Sequence, residues 1–261
     1  MQLRPRKRFG QHFLHDRTII ARIVDAINPR PGETLVEIGP GQGALTAPLL
    51  LCADKLHVIE IDRDLAATIA DSCNGSGKLV VHCLDALKFN FAGLGKQLRI
   101  VGNLPYNIST PLIFHCLEQL DHIMDMVFML QEEVVDRIIA EPGGKDYGRL
   151  SVMVQARCQA QKLFRVAPGA FHPPPQVSSA IVRLSPHTEP LITPAQLPAL
   201  ELIVRGCFNQ RRKTLRNCLK KWLSAGEIES LGLDPTLRPE QLTVNEFIRI
   251  TTFYQSRSRN N

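Results

Sequence analysis

The sequence predicts an α/β fold. A mostly parallel sheet of seven strands is covered by helices on both faces, and a small all-helical domain follows it. Three observations predict this. Short β-rich runs recur roughly 20 to 30 residues apart, with room for a helix in each gap. Two further strand-like runs are separated by a proline-rich linker too short for a crossover helix. Beyond about residue 190 the pattern turns helical.

In chain order, "DRTIIARIVDAINPRPG" begins at a plausible N-cap, Asp16, and sets Ile19, Ile20, Ile23, Val24 and Ile27 on one face. It ends in Asn28-Pro29. The strand-like runs are "TLVEI" (34–38), "HVIEI" (57–61), "KLVVH" (78–82), "LRIVGN" (98–103) and "MVFML" (126–130), with helical candidates such as "GALTAPLLL" and "STPLIFHCLEQL" between them. "LFRVA" (163–167) and "SSAIVRL" (178–184) read as an antiparallel pair at the sheet's edge. After "SPHTEPLITP" a helix is expected, with Phe208, Leu215, Leu219 and Trp222 on one face and Arg212, Arg216 and Lys220 on another. The expected domains are 1–188 and 189–261.

A chain of 261 residues that is 44% hydrophobic can bury a full core. No apolar run is long enough to span a membrane, and the basic start lacks the apolar segment of a secretory signal. Seven cysteines are scattered without a C-x-x-C pair, as expected of reduced thiols in a cytoplasmic protein. No metal site is expected, since His12 and His15 have no second ligand pair. The net charge of +6 is unevenly placed. Arg4, Arg6, Lys7 and Arg8 lie in one acid-free segment. Arg205, Arg211, Arg212, Lys213, Arg216, Lys220 and Lys221 lie in another. Without these 11, the remaining 20 of 31 basic residues face 25 acids, a balance of −5. Such local positive potential suits a polyanion.

"LVEIGPGQGALTAPLL" is a strand, a glycine turn and a helix start. Gly39, Gly41 and Ala44 satisfy G-x-G-x-x-G/A, and Glu60 ends the next strand, where an acid can accept from ribose hydroxyls. The match alone does not separate a nicotinamide dinucleotide from S-adenosylmethionine. Glu37, in the strand before the loop, suits an ammonium and a sulfonium better than a pyrophosphate. Asp85 and Ala86 follow the third strand, with Asp85 placed for an adenine amino group or simply for capping. Asn103-Leu104-Pro105-Tyr106 ends the fourth strand, near the expected switch point of the sheet.

That last motif holds no carboxylate, lysine or histidine. The methyl of S-adenosylmethionine needs no strong base, because its sulfur is already a cationic leaving group. An adenine N6 needs its N–H bonds gripped so that its lone pair turns toward the methyl. The Asn103 side-chain oxygen and the backbone carbonyl at Leu104 or Pro105 are suitable acceptors. Pro105 stiffens the turn, and Tyr106 offers a face for stacking.

Taken together, these residues resemble the small-subunit (16S) ribosomal RNA adenine N6,N6-dimethyltransferases. The resemblance runs from "RKRFGQHFLHD" through "VEIGPGQGALT", "VIEIDRDLA", "LDAL", "GNLPYNISTPL", "MLQEEVVDRI", "YGRLSVM" and "AFHPPPQVSSAIVRL" to "FNQRRKTLRN", nearly the whole chain. It implies a Rossmann-like S-adenosylmethionine-dependent methyltransferase fold with a C-terminal RNA- and ribosome-binding domain. It also implies dimethylation of two adjacent adenosines near the 3′ end of 16S rRNA, in the immature 30S subunit. By the resemblance, Gln11, His12 and Leu14 close over the cofactor, and a backbone contact is expected at position 12. Gly39, Gly41 and Gly43 form its methionine-side loop, and Glu60 with Ile61 holds the ribose end. Asp85 and Ala86 hold the adenine. Asn103, Leu104, Pro105 and Tyr106 form the target clamp, with Phe171 as a second aromatic wall. Arg4, Arg6, Lys7, Arg8, Arg211, Arg212, Lys213, Arg216 and Lys220 would grip RNA phosphates, and the chain is expected to act as a monomer. The alternatives are a large-subunit (23S) rRNA adenine N6-methyltransferase of the antibiotic-resistance type, a non-catalytic RNA-binding assembly factor, and a nicotinamide-dependent dehydrogenase.

Overall fold

A computed structural model describes residues 12–72 and 78–259. The expected site residues Arg4, Arg6, Lys7, Arg8 and Gln11 lie outside them. The chain divides into two compact units: residues 1–135 with 161–186, and residues 136–160 with 187–261. The division expected from sequence, 1–188 and 189–261, differs from this in the segment 136–160, which groups with the second unit.

The first unit begins with β1 (Phe13–Leu14) and α1 (Arg17–Ile27). Asp16 caps α1 by accepting from the Thr18 and Ile19 N–H groups, and Asn28 ends it in the left-handed region at φ 49°. Then come β2 (Thr34–Ile38), α2 (Thr46–Cys52), β3 (Lys55–Ile59), α3 (Arg63–Ser72), β4 (Leu79–His82), β5 (Leu98–Asn103), α4 (Ser109–Glu118) and β6 (Ile123–Gln131). After the second unit's first helices come β7 (Cys158–Val166), β8 (Phe171–His172) and β9 (Ser179–Pro186).

Seven of these strands form one sheet in the order β4-β3-β2-β5-β6-β9-β7. β4, β3, β2, β5 and β6 run parallel, and β9 is antiparallel to β6. The inner strands are buried on both faces, so the apolar residues of "TLVEI" and "LRIVGN" do not alternate with polar ones. Glu37 and Arg99 are the buried charged exceptions, and Arg99 is paired with Glu33 and Asp125. β4, at the edge, is only partly buried. The chain steps outward from β2 to β4, then returns to lay β5 on the other side of β2. The switch point therefore lies between β2 and β5, beyond their C-terminal ends. Gly102 allows the two strands to meet there: a Cβ at this position would stand 2.5 Å from the Ile38 carbonyl oxygen.

The second unit is helical: α5 (Glu132–Ile139, from Asp136 onward), α6 (Arg149–Gln155), α7 (Leu197–Phe208), α8 (Leu215–Leu219), α9 (Ala225–Ser230) and α10 (Val244–Arg259). Tyr147, Ile203, Val204 and Phe247 are among its fully buried side chains, and the Phe208 ring lies 5.8 Å from that of Phe247. The continuous basic helix expected here is not formed. α7 stops at Phe208, and a turn follows in which the Lys213 N–H donates to the Gln210 carbonyl. A new N-cap at Thr214, with extended backbone, starts the five-residue α8. The cause is local: Asn209 and Thr214 favour helix ends over interiors, and the Arg211 side chain is drawn to Glu240 and the Gly144 carbonyl. The expected two-faced character survives the break. Leu215 and Leu219 are buried, while Arg212, Lys213, Arg216 and Lys220 are exposed. Among the described residues, no helix is long and apolar enough to cross a membrane.

Candidate active site

The loop after β2 is built for close approach. Gly39, Gly41 and Gly43 have φ of +67°, +57° and +82°, a region side-chain-bearing residues rarely adopt. At Gly41 a Cβ would also stand 3.2 Å from the Phe13 ring. The Gly41 backbone therefore packs directly against the Phe13 ring of β1.

A cavity of about 210 Å³ opens beside it. It brings together most of the expected cofactor residues: His12, Leu14, Glu37, Gly39, Gly41, Glu60, Ile61, Asp85, Ala86 and Asn103. Leu104, Pro105 and Tyr106 line the same cavity. Gly43 does not; it sits one turn further along, against the Thr46 side chain. Phe171 departs from expectation. It is 2% exposed, sits in the hydrophobic core and pairs with Leu14 through β8 and β1, so it presents no open face to a base. Leu84 was not anticipated from sequence. Its exposed side chain, like that of Ile61, lines the cavity next to an acidic residue. An apolar residue left exposed beside a strand-end acid was the available signal.

Three carboxylates face this space and, among the described residues, no lysine or arginine lines it. Glu37, 2% exposed, accepts a hydrogen bond from the Thr46 hydroxyl at 2.6 Å. Burial raises its pKa to about 7, and the neighbouring Glu60 charge pushes the same way against that hydrogen bond. Glu60 is also raised, chiefly by burial, while backbone N–H groups of Asp62, Gly41 and Ile61 hold its charged form. Asp85 accepts from the Leu87 N–H at 3.0 Å and so caps a short 3-10 turn, while still lining the cavity. Two buried acids with no cation would repel a pyrophosphate. They fit a ligand with an ammonium and a sulfonium, and the apolar Ile61 and Leu84 fit a purine.

At the far wall the chain turns through Asn103-Leu104-Pro105-Tyr106. The Asn103 Nδ2 donates to the His12 carbonyl oxygen at 3.1 Å. The Pro105 carbonyl accepts from the Ile108 N–H at 3.1 Å, closing the turn into α4. Of the two backbone acceptors considered from sequence, the Leu104 carbonyl is thus the one outside that turn bond. The Tyr106 hydroxyl is 2.8 Å from the buried Ser179 hydroxyl, which sets the ring's tilt. Among the described residues no group of three or more His, Cys, Asp or Glu could hold a metal ion.

Comparison with known proteins gives this geometry its context. The family model described as ribosomal RNA adenine dimethylase matches residues 2–256. The chain is 57% identical over 252 residues to ribosomal RNA small subunit methyltransferase A of Pseudomonas aeruginosa, covering 95% of this chain and 94% of that one. It is 54% identical over 254 residues to the protein of the same name from Nitrosococcus oceani, covering 96% of each. Among solved structures it is similar to a dimethyladenosine transferase from Plasmodium falciparum, with TM-score 0.83, 28% identity and coverage of 95% and 98%. It is also similar to the 23S rRNA methyltransferase ErmE, with TM-score 0.74, 27% identity and coverage of 93% and 99%. A match across nearly the whole length, together with a cavity floored by acids and walled by Asn103-Leu104-Pro105-Tyr106, leads to one conclusion: the chain belongs to the ribosomal RNA adenine dimethylase family.

Proposed function

We propose that the chain dimethylates N6 of two adjacent adenosines near the 3′ end of 16S rRNA, within the immature 30S subunit, as a cytoplasmic monomer. One observation carries the reading. The turn at the far wall of the cavity holds two carbonyl-type acceptors, the Asn103 side chain and the Leu104 backbone, and contributes no carboxylate, lysine or histidine of its own. This is what an amine nucleophile needs when its partner is already activated.

When bound, S-adenosylmethionine supplies an electrophilic methyl on a cationic sulfur. Glu37 receives the ammonium end, Glu60 the ribose hydroxyls, and Asp85 with Ile61 and Leu84 the adenine. In the first transfer Asn103 Oδ1 and the Leu104 carbonyl each accept one N–H of the target amine, turning its lone pair inward; in the second, the monomethylated amine has one N–H left to offer to this pair. Tyr106, held by Ser179, offers the ring on which the unstacked base rests, offsetting part of an unstacking cost of a few kcal/mol. Phe171, being buried, acts through the β1–β8 pairing rather than by touching the base. The proton leaves to water after transfer, since the Asn103-Leu104-Pro105-Tyr106 turn carries no carboxylate, lysine or histidine to hold it. Arg212, Lys213, Arg216 and Lys220 meet RNA phosphates, as would Arg4, Arg6, Lys7 and Arg8.

Labelled-donor assays on purified 30S- and 50S-derived substrates, read by mass spectrometry, test this. Dimethyladenosine is expected in 16S rRNA alone, and Asn103→Ala is expected to lower the rate by on the order of 100-fold. Label only in large-subunit RNA would overturn the substrate. An unimpaired Asn103→Ala enzyme would overturn the clamp.

A further inference from the structure

His12 makes three separate contacts around the target clamp. Its backbone carbonyl accepts from Asn103 Nδ2 at 3.1 Å. Its ring Nδ1 lies 2.7 Å from the Pro173 carbonyl oxygen and must donate there, because a carbonyl only accepts. Its ring stacks on Tyr106, with centroids 5.7 Å apart and an interplanar angle of 28°. The register of β1 against β8, Phe13 to His172, explains the second contact: one step further along, residue 12 faces residue 173.

An asparagine amide has a donor end and an acceptor end, and nothing in its own covalent structure decides which faces a ligand. A clamp for N–H bonds works only if the oxygen faces the amine. With the amide reversed, two donors would meet two donors. The His12 carbonyl can bond only to the NH2 end, so it turns Oδ1 the other way. The ring contacts to Pro173 and Tyr106 in turn hold that carbonyl in place.

We propose that His12 is the positioning residue that sets the acceptor polarity of Asn103 and so makes the amine clamp functional. This rests on the functional reading above for the clamp's purpose. The link itself consists of two hydrogen bonds and one ring contact. The donor site and the target site are thereby joined through one residue, since His12 also lines the cavity.

The test is a double-mutant cycle of His12→Ala and Asn103→Asp, with methyl transfer followed under single-turnover conditions. In the parent, Asn103→Asp sets a carboxylate oxygen against the His12 carbonyl, acceptor against acceptor, and lowers the rate. In the His12→Ala background that opposition is relaxed, and the penalty for Asn103→Asp is expected to shrink by on the order of 10-fold. An equal fold-loss in both backgrounds would overturn the proposal. His12→Asn, which keeps a side-chain donor for Pro173, is expected to retain most of the parent rate; a loss equal to that of His12→Ala would count against the anchor. A second readout needs no turnover. The Asn103 side-chain NH2 signals in 15N NMR are expected to exchange with water faster in His12→Ala than in the parent, and unchanged exchange overturns the link. Failure of the functional reading would show instead as a parent chain that methylates nothing, with the NMR comparison still deciding the proposal.

Discussion

Glu37 shows how a single residue serves ligand and fold in opposite directions. Its pKa, raised by burial to about 7, leaves the side chain largely neutral in mildly acidic solution. A cationic donor favours the ionised form, so donor affinity is expected to rise as pH increases through 7, and Glu37→Gln is expected to flatten that dependence in calorimetric titrations. For the ligand-free chain the sign reverses. A carboxyl whose folded pKa lies above its unfolded value of 4.5 contributes stability below 4.5 that is lost as pH rises through 7. Glu37→Gln is therefore expected to stabilise the ligand-free protein at neutral pH, by on the order of 2 kcal/mol. Binding lost without a gain in melting temperature would contradict this. That Glu37, Gly41 and Asn103 meet at one cavity was legible in the sequence because each sits in a short strand-turn unit whose spacing is local. Ser179 was not legible, because its bond to Tyr106 joins positions 73 residues apart. The burial of Phe171 was not legible either, because the strand that covers it, β1, lies far from it in sequence.

At the scale of elements, the sheet's strands came through because buried strands are short β-rich runs set roughly 20 to 30 residues apart, and "LRIVGN" forms one although it buries Arg99, which is held by Asp125 and Glu33. The two-residue strands β1 and β8 were invisible to any periodicity. The broken basic helix shows the complementary failure: charge spacing at i, i+4 and i+8 fits a helix, yet the Arg211–Glu240 pair and the Thr214 N-cap end it. Beside the site, β2 and β5 leave no room for a side chain at Gly102. Gly102→Ala would force a methyl within 2.5 Å of the Ile38 carbonyl, moving the strand that carries Asn103. A stability loss of on the order of 2 kcal/mol is expected in thermal unfolding, together with a lower methylation rate. A variant as stable as the parent would show that the strands part freely.

For the whole molecule, the surplus of +6 resides in two short segments while the rest of the chain sums to −5. Arg212, Lys213, Arg216 and Lys220 are exposed in the helical unit, whereas Arg211 is paired with Glu240. Replacing the four exposed residues with alanine is expected to reduce the log–log salt slope of RNA affinity by about 3. Arg211→Ala alone is expected to leave it nearly unchanged, and equal effects of all five would contradict the assignment. The uneven charge was legible in composition, but the make-up of the two units was not: residues 136–160 group with the helical unit although they lie between strands in sequence. The account as a whole stands on where the target amine is held. A structure of the chain with a small-subunit RNA fragment and an unreactive donor analogue should place an adenine N6 about 3 Å from both Asn103 Oδ1 and the Leu104 carbonyl oxygen. An N6 beyond hydrogen-bonding reach of both would contradict it.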